Sequence, residues 1–110
     1  SYSLSLKKQN LDLALSLIKK AVAIEPNNAF FLDTIGWVEY QITNYESAVF
    51  YLEKAVTLKP NSSEIINHLG DCYLMLGRVN EAKYEWKKAL QYETKINVVK
   101  KIKEKINKYE

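Results

Sequence analysis

Two proline tracts thirty-four residues apart constrain this chain more than any other feature: Glu25-Pro26-Asn27-Asn28 and Lys59-Pro60-Asn61-Ser62. What precedes each tract repeats as well. Ala14 and Ala21 stand before Pro26 at the offsets of Ala48 and Ala55 before Pro60. A further step places Ala82 and Ala89, with Thr94 where the next proline would fall. A period of this size belongs to stacked supersecondary units, each too small to bury its own apolar face.

Each unit reads as a helical hairpin. Ala29 to Thr43 is built from helix-compatible residues and ends at polar Thr43-Asn44. Tyr45 to Lys59 then places Tyr45, Ala48, Val49, Leu52, Ala55 and Val56 at the spacings of one helical face. Ser62 or Ser63 caps the next helix, which runs to Leu76, and Gly77 supplies a stop in which a left-handed residue is unstrained. Glu81 to Glu93 forms its partner, with Val79, Ala82, Trp86, Ala89 and Leu90 facing inward. Pro26 and Pro60 are excluded from helix interiors, so they mark the boundaries between hairpins.

Leu11, Leu13, Leu15 and Leu17 alternate in the manner of a strand. Leu, Ala and Lys favour helix, however, and a strand would break the period. The helical reading makes Leu11, Ala14, Leu15, Ile18, Ala21 and Val22 the core face. It leaves Leu13 and Leu17 pointing elsewhere, to be covered by missing neighbours or by a partner. Gly36 and Gly70 hold equivalent sites in the first helices, opposite Ala48 and Ala82, where two backbones must approach closely.

The sequences Ile35-Gly36…Ala48…Leu52…Ala55…Pro60 and Leu69-Gly70…Tyr73…Ala82…Trp86…Ala89 resemble two copies of the tetratricopeptide repeat. Leu4 through Pro26 resembles the back part of a third. Glu39 departs from the pattern where an aromatic is usual, and Thr94 replaces the last proline. The resemblance implies an all-α, right-handed superhelical solenoid of antiparallel hairpins. It divides the chain into a partial repeat at 1–28, repeats at 29–62 and 63–94, and a capping helix at 95–110. The wording around Leu32-Val38 and His68-Asp71 is also similar to repeat proteins of the bacterial cell envelope. That likeness implies a module of a longer bacterial protein, in the cytoplasm or the envelope.

The 110 residues support one compact domain. Cys72 is the only cysteine, so an intramolecular disulfide is excluded and the compartment stays open. No apolar run approaches the length of a membrane span. The chain begins inside a repeat and without Met, as expected of a piece of a longer protein. Its net charge of +3 is uneven: Lys95 onward carries +4, and the rest carries −1. Val98, Ile102 and Ile106, beside Val99 and Tyr109, give that basic segment one apolar stripe, as a helix that ends a solenoid requires.

With one His, one Cys and no Gly-rich loop, the sequence points to no catalytic site, cofactor or metal. His68 and Cys72 are four apart on one helix, yet two donors are too few for a closed site, and Cys72 reads as a packing residue. The resemblance implies instead a concave groove lined by Asp33, Thr34, Trp37, Tyr40, Gln41, Asn67, His68, Asp71, Leu74 and Met75, continued by Lys101 and Lys105. Such a groove holds a peptide or a partner helix. The acidic residues in it oppose a bound carboxylate and favour a basic or aromatic partner. The alternatives are nucleic-acid binding through the Lys-rich last helix and self-association through the incomplete first repeat. Small-molecule substrates and membrane insertion are not expected.

Overall fold

The computed structural model describes residues 2–110, with side chains from residue 7 onward, so the Leu4 side chain lies outside the described residues. Six helices follow one another: α1 (Tyr2–Ile24), α2 (Ala29–Gln41), α3 (Tyr45–Leu58), α4 (Ser63–Met75), α5 (Val79–Leu90) and α6 (Ile96–Lys108). The fold is all-α, with no strand among the described residues. α2 packs on α3 and α4 on α5 as hairpins. α1 covers one side of α2, and α6 closes on α5.

The helix starts obey the same period as the prolines. Asn28 Oδ1 accepts from the Phe31 amide at 3.1 Å, and thirty-four residues later Ser62 Oγ accepts from the Ile65 amide at 3.4 Å. Each oxygen satisfies an amide that the first helical turn leaves without a partner. The interhelical turns are also equivalent. Gly77 has φ +76°, and Thr43, one period earlier, adopts φ 75°. Glycine takes this conformation freely, but for a β-branched residue it is strained.

The glycines set the hairpin spacing. A methyl group on Gly36 would sit 2.6 Å from Leu52 Cγ and 3.3 Å from the Ala48 carbonyl oxygen. On Gly70 it would meet Trp86 Nε1 at 2.5 Å and the Ala82 carbonyl at 3.2 Å. The nearest obstacle is thus the large side chain one turn beyond each alanine, with the alanine backbone second. Leu52, Trp86, Ala48, Ala82, Ala55 and Ala89 are fully buried in consequence. Burial of a side chain such as Leu52 contributes about 1.5–3 kcal/mol.

Two elements depart from the expected bounds. α5 starts two residues early and stops at Leu90 rather than Glu93. Glu93 instead accepts hydrogen bonds from the Thr94 and Lys95 amides and from Ser63 Oγ, which holds the turn into α6 without a proline. α1 forms one helix of 23 residues, running straight through Gln9-Asn10, the positions at which later units turn. Its predicted core face is half-buried against α2, while Leu13 and Leu17 remain 60% and 57% exposed. In α6, Ile102 and Ile106 are buried as the stripe requires, with Val98 and Tyr109 packed beside them.

Replacing Gly36 by Leu is expected to destabilise the protein by about 1–3 kcal/mol through overpacking. A thermal melt identical to wild type would remove the close approach as a constraint. Thr43→Gly is expected to stabilise by roughly 0.5–1 kcal/mol, since relief of left-handed strain exceeds the entropy that glycine adds to the unfolded chain. An unchanged or lowered melting temperature would show that Thr43 carries no strain.

Candidate functional site

α2 and α4 begin thirty-four residues apart and pack against each other. On α2, Asp33, Trp37 and Tyr40 follow the i, i+4, i+7 rule, and α4 brings His68 alongside them. His68 Nδ1 lies 2.8 Å from Asp33 Oδ1, a pairing across thirty-five residues of chain. The Trp37 ring stacks on Tyr40 at 4.5 Å between centroids and on His68 at 4.0 Å. Asp33 is only 8% exposed, whereas Trp37, Tyr40 and His68 are half-buried. The aromatic residues therefore pack on one another between units and still reach the surface.

A second group joins α4 to α6. Lys105 Nζ donates to Asn67 Oδ1 at 2.6 Å and to Asp71 Oδ1 at 2.7 Å. Trp86 Nε1 donates to the same Asp71 oxygen at 3.1 Å, and the Lys105 ammonium lies 5.0 Å from the Trp86 ring centre. Asn67, Asp71 and Lys105, three of the expected groove residues, thus hold the last helix on the array. Thr34 donates its hydroxyl back to the Phe30 carbonyl, while Gln41 and Lys101 are exposed and outside both clusters. Leu74 packs against the core, and Met75 is exposed.

Sequence reasoning missed Glu64, which stands one turn before His68 on α4 and beside Asp33. Its i, i+4 spacing from His68 was the available signal. It also missed the Trp86–Asp71 bond, although a buried indole N–H regularly finds an acceptor. Cys72 is fully buried, and burial first, then Asp71 and Asp33, push its thiol up to about 12. Such a thiol is inert.

A tetratricopeptide-repeat family model matches residues 43–95. Among solved structures, a thermophilic TPR protein of Thermus thermophilus has a TM-score of 0.78 at 27% identity, over 93% of this chain and 50% of that one. The first TPR of Spaghetti (RPAP3), bound to an HSP90 peptide, scores 0.80 at 16% identity, over 96% and 85%. A MamA mutant scores 0.73 at 25% identity, over 81% and 65%, so this chain spans less than two thirds of that protein. No curated protein sequence matches the chain. The fold and the repeat positions define a helical-repeat protein. More particularly, residues 43–95 match the tetratricopeptide-repeat family, and the whole chain is similar in fold to solved TPR proteins.

The joint of α4 with α3 and α5 carries its own electrostatics. Tyr73 donates its hydroxyl to Glu53 Oε2 at 2.7 Å, while Glu85 Oε2 is buried without a hydrogen-bond partner. Burial raises the Glu85 carboxyl above its ordinary value; Lys88 opposes the shift, and Glu53 and Glu81 add to it. A carboxyl raised by folding disfavours the folded state above its unfolded value, and the penalty is relieved as pH falls through the raised value. Glu85→Gln is therefore expected to raise the melting temperature at neutral pH, with the gap closing as pH falls toward about 4. A difference independent of pH would rule out Glu85 ionisation as the cause.

Proposed function

We propose that this chain is a non-enzymatic interaction module that holds a peptide or a partner helix on the face formed by α2, α4 and α6. The family is a protein-interaction repeat family, and the Spaghetti (RPAP3) neighbour was solved with a peptide bound. The observation that carries the reading is the Trp37–Tyr40–His68 stack, half-exposed at the junction of two units with Asp33 beneath it. Aromatic anchors between rigid helices lose little side-chain freedom on binding and dominate interface energies.

Charge narrows the partner. Asp33 and Glu64 flank the stack, while Lys105 is engaged by Asn67 and Asp71. A bound carboxylate would be repelled at the centre of the face, and a basic or aromatic side chain would be attracted. The proposal includes the unit boundaries: a partial repeat at 1–28, repeats at 29–62 and 63–94, and a cap at 95–110. The cap then acts by shielding the last core residues, Trp86 and Ile102.

A peptide array varied in Arg, Lys, Tyr, Asp and Glu, probed with labelled protein, tests this. Basic and aromatic sequences are expected to bind. Trp37→Ala is expected to weaken them by about 30-fold or more, as loss of a central aromatic anchor does, while the helical circular dichroism stays intact. Undiminished binding by a folded Trp37→Ala protein, or enrichment of acidic sequences, would refute the assignment.

A further inference from the structure

The single histidine, part of the proposed interaction face, also sits beside two carboxylates. Asp33, Glu64 and His68 bring one ligand atom each to within 4.8 Å of one another. Among the described residues, no other three His, Cys, Asp or Glu donors come so close. Asp33 comes from α2, whereas Glu64 and His68 are one turn apart on α4, so the donors belong to two different units. Stacking on Trp37 holds the imidazole in place beside Asp33. Beside the two carboxylates lies a cavity of about 90 Å³, lined also by Lys59 and Phe30.

We propose that Asp33, Glu64 and His68 form a binding site for one divalent transition-metal ion of the zinc or cobalt type, with water from the cavity completing its shell. The donor set is one nitrogen and two oxygens, which such ions accept. At bond lengths near 2.1 Å, tetrahedral ligands stand about 3.4 Å apart, so Asp33 and His68, hydrogen-bonded at 2.8 Å, would part slightly while Glu64 closes on them. Two carboxylates and a neutral imidazole carry a charge of −2, which a divalent ion neutralises. Lys59, which lines the same cavity, is exposed, and its long side chain can turn to solvent. The ion would tie α2 to α4 at the centre of the inner face. The His68–Cys72 pair offers no such site, because Cys72 is fully buried and its thiol stays protonated.

Titration of tag-free protein with zinc by calorimetry tests this site, since His68 is the only imidazole in the chain. Saturation at one equivalent is expected. Cobalt should bind with quenching of Trp37 fluorescence, given the 4.0 Å contact with the His68 ring. His68→Ala and Glu64→Gln should each weaken zinc by more than about ten-fold. Glu64 is exposed, so Glu64→Gln keeps the test sound even if His68→Ala unfolds. Absence of saturable uptake, or uptake that survives Glu64→Gln undiminished, overturns the site. Neither result depends on a peptide partner.

Discussion

The approach of α2 to α3 and of α4 to α5 rests on hydrogen atoms at Gly36 and Gly70 where every other residue carries carbon. Because a Cβ there would overlap Leu52 or Trp86, the two backbones come close enough for Leu52 and Trp86 to be completely enclosed. That enclosure supplies much of each hairpin's apolar burial. Trp37 and Asp71 directly follow Gly36 and Gly70 in the chain, so the same close approach positions them.

The first and last helices are held differently. At the C-terminal end, α6 buries Ile102 and Ile106, and Lys105 is drawn onto Asp71 and Asn67. One carboxylate thereby receives both an ammonium and the buried Trp86 indole. A shared acceptor of this kind makes the cap specific as well as apolar. Among the described residues, α1 packs chiefly on α2. Its core face stays half-buried, and Leu13 and Leu17 face solvent at positions held by Ser47 and Tyr51, then Glu81 and Glu85, in later units.

The sequence offered candidate residues for the site but not their pairings. Spacing alone placed Asp33, Trp37 and Tyr40 on one stripe, and the period placed His68 and Asp71 in register with them. Which of these groups would be consumed internally could not be read, because Lys105 and Asp71 are thirty-four residues apart in sequence. Glu93 shows the same limit on a smaller scale. Its carboxylate turns the chain after α5, a task the earlier boundaries leave to proline, and no propensity scale assigns that role.

By itself the sequence determined the helices, their order and the faces they bury. These follow from a thirty-four-residue period, proline exclusion and apolar spacing, all local or repeated properties. Only the tertiary structure decided that Trp37 stacks on His68, that Asp71 serves Trp86 and Lys105, and that Glu64 joins Asp33 beside the one imidazole. The reason is physical: a side chain's partners across helices depend on crossing geometry to within an ångström. Hydrogen bonds are lost at distances that periodicity does not resolve.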